Sequence, residues 1–570
     1  MKILNAFFLL LLSVSILAAQ KKQLPDDVVA SIRERIENGH SPGIVVGIID
    51  KDGPQYYAFG AKTAGGEPVD EHSIYEIGSI SKTFTATLLA QNILNGKMKA
   101  DDPAQQYLPK SVTMPMRNGR QITLGELSDH TSGLPRLPAN LNPADPSNPY
   151  ADYTVEQMYA FLSGYELPRD IGSQYEYSNL AQGLLGHILA LQAGKSYEEL
   201  LIENIAGPLG MDETKITFDE QMKKNLAMGY SQGMQVPNWD FPTLAGAGAI
   251  RSSLHDMLRY IGANMGLIKS DFYPAMQLAH TMRHDKAGGI RVGLGWHISK
   301  GSDGDVIWHN GGTGGYRTFA GFVRETGEGV VVLTNSTKGA DDIGFHLLNP
   351  EANLIKVKKS ALAVIRKAID AEGPDAGLNA WATLKNEHAG DYELNEDEMN
   401  TQGYIYLNEG NTKAALAVFR INAEEYPNSS NVFDSYGEAL MKDGQKDEAV
   451  VNYKKSLELN PGNDNAVKML EKMGVTNAVD IPEVAEEVLE SYVGTYNLAP
   501  GFDIEITREG TQLFGQATGQ GRFELFPKSE TEFYLKVVAA QVVFNAKDGQ
   551  VESLTLFQGG QELPAKKMEK

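Results

Sequence analysis

A spacing of 34 residues recurs in the second half of the chain and restricts what that half can fold into. Gly403 and Gly437 are 34 residues apart, as are Ala415 and Ala449, Phe419 and Tyr453, and Pro427 and Pro461. A fixed period of about 20 to 50 residues indicates stacked supersecondary units, in which small residues let paired helices approach. A proline near the end of each unit stops its second helix. We therefore predict an all-α segment over residues 355–475.

This period and residue order resemble the tetratricopeptide repeat, and an ordinary helical bundle would not account for four coincident spacings. Two repeats bury too little surface, because about three are needed for a stable stack. We expect the helices predicted at 355–369 and 465–473 either to cap the repeats or to dock on the preceding domain. The resemblance implies a protein or peptide partner for this segment.

The segment before the repeats, residues 24–340, mixes strand and helix patterns. Strand patterns at 45–50 and 55–59 are joined by a turn at Asp52-Gly53, and those at 317–323 and 330–334 form a second hairpin. Helical patterns at 83–94 and 180–191 lie between the two hairpins. This order predicts an α+β domain with an antiparallel sheet flanked by helices.

The segment after the repeats, residues 487–570, consists of short alternating runs separated by turn residues such as Lys547-Asp548-Gly549. Such spacing predicts a small all-β domain, a barrel or a sandwich. No cluster of titratable groups stands out in this part of the sequence, so we assign it no chemistry.

Composition excludes several classes of function. The net charge is −22, from 73 acidic and 51 basic side chains, and such a charge repels nucleic acid. The chain has no cysteine, which excludes disulfides, thiolate metal sites, a cysteine nucleophile and lipid attachment through cysteine. Covalent catalysis would therefore need Ser, Thr, Lys or a carboxylate. No nucleotide-binding loop follows a strand pattern, and we predict neither a cofactor nor a metal.

The N-terminus has the pattern of a targeting segment. Lys2 precedes an apolar run over residues 6–17, and Ala18-Ala19 offer small residues for cleavage. A run of 12 residues is shorter than the roughly 20 that a membrane-spanning helix needs. We predict a cleaved signal peptide over residues 1–19 and a periplasmic or secreted protein, with an uncleaved anchor as the alternative.

The candidate chemistry lies in the first segment. Ser79 and Lys82 form a Ser-x-x-Lys pattern at the start of a predicted helix, and a spacing of three puts both side chains on one helical face. The positive end of the helix dipole and partial burial both favour a neutral lysine amine, which a base that activates serine must have. The alternative is that Ser79 only caps the helix and that Lys82 is solvated.

Two further motifs follow in order. Tyr177-Ser178-Asn179 precedes another predicted helix, and His309-Asn310-Gly311-Gly312 ends a predicted strand. Ser-x-x-Lys, then Tyr-x-Asn, then a strand with (Lys/His)-x-Gly resembles the class C β-lactamases and their relatives among the DD-peptidases (penicillin-binding proteins), D-aminopeptidases and esterases. The resemblance covers about residues 24–336. It implies a serine hydrolase that acts through an acyl-enzyme on a small-molecule or peptide substrate, which could derive from the cell wall.

The resemblance also implies roles for individual residues. Ser79 would be the nucleophile, while Lys82 and Tyr177 would carry its proton to the leaving group. Asn179 would position Lys82 and the substrate amide. The backbone N–H groups of Ser79 and Gly312 would form the oxyanion hole. Gly311 would let the strand approach the substrate, and which group is the acylation base stays open.

One position departs from the β-lactamases, which have Lys-Thr-Gly where this chain has His309-Asn310-Gly311. A histidine with a pKa near 6.5 holds a substrate carboxylate less firmly than a permanent cation does. We therefore expect His309 to bind substrate. The departure from lysine favours a peptidase or esterase over a dedicated β-lactamase. The alternatives are β-lactam hydrolysis and a catalytically weak scaffold that binds proteins.

Two other patterns are rejected. Gly39-His40-Ser41-Pro42-Gly43 matches Gly-x-Ser-x-Gly, but a strand pattern follows the serine, and Pro42 lacks the N–H that this motif requires. His280 and His284 are spaced like zinc ligands on a helix, yet no glutamate follows His280 and no third ligand is evident. We interpret them as surface histidines.

Overall fold

The computed structural model describes residues 23–286, 290–388, 390–475, 483–499, 502–518, 521–536, 538, 540–547, 550–558 and 561–568. The predicted signal peptide over residues 1–19 lies outside these ranges. Within them, no helix is long and apolar enough to cross a membrane.

An eight-stranded antiparallel sheet forms the centre of the first segment. Its strands, in spatial order, are Gly53–Gly60, Gly43–Asp50, Glu328–Thr334, Arg317–Val323, Asp305–Gly312, His297–Lys300, Ile290–Val292 and His284–Lys286. Both predicted hairpins are confirmed, and they are neighbours because Gly43–Asp50 pairs with Glu328–Thr334. The first and last long strands of the segment are therefore neighbours, at the second and third positions from one edge of the sheet.

Helices cover both faces of this sheet, because successive side chains of a strand point to opposite sides. Val45 and Ile49 belong to one buried core, and Val46 and Ile48 belong to the other. The α-helices are Asp26–Glu37, Ser81–Leu94, Leu124–Ser128, Val155–Gly164, Asn179–Ala193, Tyr197–Leu201, Gly207–Leu209, Glu220–Lys224, Ala245–Gly248, Leu254–Met265, Tyr273–Ala279 and Asp341–Leu348. The first and last of these cover the smaller core, and the helices between them cover the larger core.

Short elements connect this framework. Single helical turns form at Gly78–Ile80, Ala104–Tyr107 and Ile202–Ala206. Three two-stranded ribbons pair Ile74–Glu76 with Arg251–Ser253, Met116–Arg117 with Arg120–Gln121, and Tyr230–Ser231 with Met234–Gln235. The first ribbon leads directly into the turn Gly78–Ile80, which we call the nucleophile turn.

The second segment is helical, as predicted. Its helices are Ala361–Glu372, Pro374–Glu387, Glu396–Asn408, Thr412–Glu425, Ser430–Lys442, Lys446–Leu459 and Asp464–Lys472, and the short strands Lys359–Ser360 and Tyr392–Glu393 pair in parallel. A Cβ at Gly403 would lie 2.5 Å from the Phe419 ring, and one at Gly437 would lie 3.2 Å from the Tyr453 ring. The 34-residue spacing thus repeats one contact, in which a glycine of the first helix receives an aromatic ring of the second.

The helical segment contacts the first segment through polar groups. Arg35 binds the Asp342 carboxylate at 2.7 Å and the Ile355 carbonyl at 3.2 Å. Lys338 lies 3.3 Å from Glu393 and 3.2 Å from Glu398. The helices at the two ends of the segment pack on the repeats, Ala361–Glu372 in one core with Phe419 and Asp464–Lys472 in another with Tyr453, so of the two predicted roles the structure shows capping.

The third segment is a closed barrel preceded by the helix Glu486–Tyr492. Its strands are Gly494–Ala499, Phe502–Glu509, Gln512–Ala517, Phe523–Pro527, Glu532–Leu535, Ala540–Lys547, Gln550–Gln558 and Gln561–Lys567. The sequence patterns missed two of them, Phe523–Pro527 and Gln561–Lys567. Both contain a proline and mostly unburied side chains, so they lack the alternation that marks a half-buried strand.

Candidate active site

Ser79 lies on the nucleophile turn, where the ribbon strand Ile74–Glu76 passes into the helix Ser81–Leu94. Gly78 adopts a φ of +51°, which bends the chain away from the strand. The Ile77 N–H donates to the Ile250 carbonyl at 3.0 Å, and the Ile250 N–H donates to the Ser81 hydroxyl at 3.2 Å. These bonds fix both sides of Ser79, whose side chain lies partly exposed between them.

Lys82 is completely buried one helical turn after Ser79. Its Nζ donates to Ser79 Oγ at 2.9 Å and to the Ala247 carbonyl at 2.7 Å. Burial, with the charge of Arg136 as a second cause, holds the pKa of the Lys82 amine well below its ordinary value of 10.5. The alternative of a solvated lysine is therefore wrong, and a neutral Lys82 amine can accept the proton of the Ser79 hydroxyl.

Tyr177 lies on the other side of Ser79 and hydrogen-bonds to it. Lys82 Nζ is 4.8 Å from the centre of the Tyr177 ring. Burial raises the pKa of the Tyr177 hydroxyl, so the phenol is neutral at physiological pH. Tyr177, which is distant in sequence, thus meets Ser79 and Lys82 at one point.

Asn179 begins the helix Asn179–Ala193, which Ser178 caps by accepting a hydrogen bond from the Ala181 N–H at 2.9 Å. The Asn179 amide nitrogen donates to the Tyr150 hydroxyl at 3.3 Å. Its carbonyl oxygen is buried and has no hydrogen-bond partner in the part of the chain described here. That oxygen remains available to a substrate donor.

The strand Asp305–Gly312 carries Gly311 and Gly312 against the nucleophile turn. A Cβ at Gly311 would lie 2.0 Å from the Ile77 carbonyl oxygen, and one at Gly78 would lie 2.7 Å from the Gly312 nitrogen. The Thr318 hydroxyl on the next strand also donates to the Ile77 carbonyl, at 2.9 Å. Only glycine permits this contact of backbone with backbone, which brings the Gly312 N–H beside Ser79.

These residues open into a cleft of about 430 Å³. It is lined by Ser79, Arg136, Tyr150, Tyr177, Asn179, Trp239, His297, Asn310, Gly311, Gly312, Thr313 and Arg317. The motifs did not identify Arg136, Tyr150, Trp239, His297, Thr313 or Arg317, because these residues belong to no short pattern and come together only in the fold. Arg136 and Arg317 give the cleft two guanidinium groups.

His309 was predicted to contact substrate, but its side chain has no exposed surface and is absent from the cleft lining. Its Nδ1 lies 2.6 Å from the Asn310 carbonyl, and its ring is 4.9 Å from that of His297. Burial is the main reason that the pKa of His309 lies well below 6.5 and that of His297 is lowered to about 4. His309 is therefore a neutral residue behind the cleft, because the strand turns its side chain inward.

His130 also belongs to this inner layer, since its ring lies 4.5 Å from the Tyr177 ring. Its Nδ1 accepts the Ser178 N–H at 3.1 Å, and burial holds the pKa of its imidazole well below 6.5. His130 thus supports the Tyr-x-Asn segment through its contacts with Tyr177 and Ser178. The motifs did not identify His130, whose role comes from contacts made only in the fold.

The rejected patterns lie outside the cleft. Ser41 hydrogen-bonds to Thr334 at 2.6 Å, and its strand follows it as predicted. The interpretation of His280 as a surface residue is wrong, because it is 3% exposed and bonds to Asn264 at 2.9 Å and to Arg324 at 2.8 Å. His284 instead bonds to Asp129 at 3.0 Å, so the two histidines share no ligand position.

Family profiles match all three segments. The β-lactamase profile matches residues 28–348, a tetratricopeptide-repeat profile matches residues 432–463, and a domain of unknown function, DUF3471, matches residues 480–567. The tetratricopeptide match falls on the second of the two predicted repeats.

Curated relatives match the first segment. A β-lactamase of Escherichia coli K12 is 29% identical over 352 residues, which cover 56% of this chain and 90% of that protein. The D-alanyl-D-alanine-carboxypeptidase/endopeptidase AmpH of the same strain is 30% identical over 347 residues, which cover 56% of this chain and 88% of that protein.

Solved structures share the fold. A β-lactamase/D-alanine carboxypeptidase from Pseudomonas syringae superposes with a TM-score of 0.50 at 22% identity, over 57% of this chain and 98% of that chain. At this identity the likeness concerns the fold alone. The β-lactamase profile, in contrast, covers more than half of the 570 residues. The curated relatives also match this chain over most of their own length. The chain therefore belongs to the β-lactamase family of serine hydrolases.

Proposed function

We propose that this protein is an exported serine hydrolase that cleaves amide or ester bonds through an acyl-enzyme on Ser79. The catalytic unit spans residues 24–340, followed by a repeat segment over 355–475 that binds a protein or peptide partner and a barrel over 487–570. The leader pattern over residues 1–19 supports export to the periplasm or the medium.

The observation that carries the proposal is the hydrogen bond at 2.9 Å between Ser79 Oγ and the Nζ of Lys82, whose side chain is fully buried. The neutral Lys82 amine takes the proton of Ser79 as Oγ attacks the substrate carbonyl carbon. The oxyanion that forms accepts hydrogen bonds from the N–H groups of Ser79 and Gly312. Tyr177 donates its phenolic proton to the leaving group and takes up in its place the proton held by Lys82, and water then hydrolyses the acyl-enzyme.

Charge in the cleft supports a substrate that carries a carboxylate. Arg317 donates to the Thr313 and Tyr316 carbonyls at 3.0 and 2.9 Å, so its guanidinium is held at the cleft wall. Arg136 lies with its guanidinium carbon 5.2 Å from the centre of the Tyr177 ring. Guanidinium groups hold carboxylates in a fixed geometry and stay charged at every physiological pH. A peptide with a C-terminal D-amino acid, as in cell-wall material, has the required amide and carboxylate.

β-Lactam hydrolysis is the second candidate, and the 29% identity to a β-lactamase of Escherichia coli favours it. A β-lactam antibiotic also presents an amide carbonyl and a carboxylate. At position 309, where the β-lactamases have a lysine, this chain has a buried histidine that brings no charge to the cleft, and this favours the peptidase or esterase activity. We therefore rank β-lactam hydrolysis below it.

The test is turnover combined with capture of the acyl-enzyme. The purified full chain is assayed with a D-alanyl-D-alanine peptide, a short-chain ester and a chromogenic cephalosporin, and intact mass is measured after exposure to a fluorophosphonate and to penicillin. We expect one adduct per chain on Ser79 and peptide or ester turnover. Loss of the nucleophile in Ser79→Ala should cost on the order of a millionfold in kcat. A folded Ser79→Ala variant with wild-type activity, or wild-type protein that is neither labelled nor active, contradicts the proposal and favours a scaffold.

A further inference from the structure

The ribbon that delivers Ser79 carries a second group of side chains at its opposite end. Ile74 pairs with Ser253 and Glu76 with Arg251, so continuing the register by two residues places His72 opposite His255. Glu213 joins these two histidines, and one ligand atom from each of the three residues lies within 4.8 Å of the others. Two imidazoles and a carboxylate are a ligand set that zinc takes in proteins.

The spacing of two of these groups suits a single metal ion. His72 Nδ1 lies 3.0 and 3.1 Å from the two carboxylate oxygens of Glu213. Two ligands that each lie about 2.0 to 2.2 Å from one zinc ion in a near-tetrahedral arrangement are separated by about that distance or slightly more. A His–Glu ion pair would explain this contact alone, but it does not explain why His255 completes the cluster.

A buried carboxylate orients the second imidazole. Asp256 is 1% exposed, and its Oδ1 lies 3.0 Å from His255 Nδ1. Its Oδ2 accepts from the Glu213 N–H at 2.8 Å and from the Thr214 hydroxyl at 2.9 Å. Because Asp256 engages Nδ1, Nε2 is the His255 atom that a metal would take, and the same carboxylate holds the backbone of Glu213. Carboxylates that bind the outer nitrogen of an imidazole are a usual feature of metal sites.

The glutamate is oriented in the same way. Ser253 donates its hydroxyl to Glu213 Oε2 at 2.6 Å, which leaves Oε1 directed toward His72. Asp70, Glu71 and Asp256 add negative charge around His72 and His255, against the one positive charge of Arg259 that acts on Tyr56, whose ring stacks on His255. The local charge is therefore negative, which favours a divalent cation.

We propose that His72, Glu213 and His255 bind one Zn²⁺ or a similar divalent transition metal, with water completing the coordination. The site joins the chain before the strand Ile74–Glu76 to the start of the helix Leu254–Met265. It thereby clamps the ribbon whose other end holds Ser79 and the Ile250 contact. The metal has a structural role here, since the cluster lies at the end of the ribbon away from the cleft.

The test uses the full chain after treatment with a chelator. Co²⁺ is titrated while its visible absorption is recorded, Zn²⁺ is titrated by calorimetry, and the melting temperature is measured with and without Zn²⁺. We expect one equivalent of metal, a Co²⁺ spectrum typical of four- or five-coordinate nitrogen and oxygen ligation, and a higher melting temperature with Zn²⁺.

His72→Ala should weaken Zn²⁺ binding at least tenfold and abolish the melting-temperature shift, and Glu213→Gln should weaken it as well. His72 is 47% exposed, so its removal should leave the metal-free protein folded. His388→Ala is the matched control, because His388 is 50% exposed and lies 3.6 Å from Asp391 without a second histidine. Unchanged affinity in His72→Ala and Glu213→Gln, or an equal loss in His388→Ala, would overturn the assignment.

Discussion

The α-carbon of Gly311 faces the carbonyl oxygen of Ile77 so closely that a Cβ there would lie 2.0 Å from it. The contact joins the strand that ends in Gly312 to the turn that carries Ser79, with backbone against backbone. The separation of the two proposed oxyanion donors is therefore set by the absence of a side chain at position 311.

Gly311→Ala should consequently lower kcat/KM while the protein still folds. The added methyl must push the strand away from Ile77, which moves the Gly312 N–H off the oxyanion, and loss of one such donor costs about 10²- to 10³-fold in kcat. Overpacking of this kind costs about 1 to 3 kcal/mol in stability. Steady-state kinetics and thermal melting measure both effects.

Gly339→Ala is the control for that substitution, because a Cβ at Gly339 would meet nothing within 4 Å. It should leave kcat/KM and melting temperature unchanged. If Gly311→Ala retained full activity, the oxyanion hole would not include Gly312.

Lys82→Arg should abolish turnover although the positive charge is retained. An arginine remains protonated at any accessible pH, so it cannot accept the Ser79 proton, and it is also too large for a fully buried position. The expected loss in kcat is on the order of 10⁴- to 10⁶-fold. Lys97→Arg, at an exposed lysine beyond the same helix, should behave as wild type. Substantial activity in Lys82→Arg would show that Lys82 acts only through its charge.

Arg317→Ala should discriminate between substrates by charge. For a substrate with a carboxylate we expect KM to rise about 10- to 100-fold, and for the matched neutral amide it should change less than twofold, because a charged hydrogen bond is lost only in the first case. The wild-type KM for the carboxylate should vary little between pH 6 and 8, since a guanidinium does not titrate there. An equal rise for both substrates would mean that Arg317 shapes the cleft without reading charge.

The variant His309→Lys tests whether a cation at position 309 can reach the substrate. Because position 309 is buried beside Lys82 and His297, a lysine there should destabilise the protein without improving β-lactam hydrolysis. A stable His309→Lys variant with higher activity on a cephalosporin would contradict the burial of this side chain.

Acid should destabilise the folded state through the buried histidines. Burial and, second, Lys82 lower the pKa of His297 to about 4, whereas in the unfolded chain it is near 6.5. The unfolded state therefore binds more protons below pH 6.5, and the free energy of unfolding falls as pH drops from about 6.5 toward 4. The part of the free energy of unfolding that is lost through His297 across that window is about 3 kcal/mol.

Urea denaturation at pH 7.5 and at pH 5 measures this change in the free energy of unfolding. In His297→Gln the difference between the two pH values should shrink relative to wild type, because glutamine does not titrate. His388→Gln, at an exposed histidine, should leave the difference unchanged. Equal differences in wild type and His297→Gln would show that His297 titrates alike in both states.

Much of this protein follows from local pattern. The 34-residue period, the two hairpins and the order Ser79, Lys82, Tyr177, Asn179, Gly312 each depend on spacing along the chain, and spacing decides which side chains share a face of a helix or strand. That is why the α+β sheet with flanking helices, the repeat helices and the shared face of Ser79 and Lys82 could be predicted from the sequence, whereas the approach of Tyr177 was implied only by the resemblance to the β-lactamases.

Only the tertiary structure decided the environment of each side chain. Burial depends on what packs against a side chain from distant segments, so no motif could reveal that His309 and His280 are enclosed, that Arg136 and Arg317 line one cleft, or that His72 and His255 lie together. The pKa of a lysine or a histidine depends on the same surroundings, through loss of hydration and neighbouring charge. The sequence by itself determined the candidate residues of the three motifs, and the packing of remote elements determined which of them are charged and which lie where a ligand can reach them.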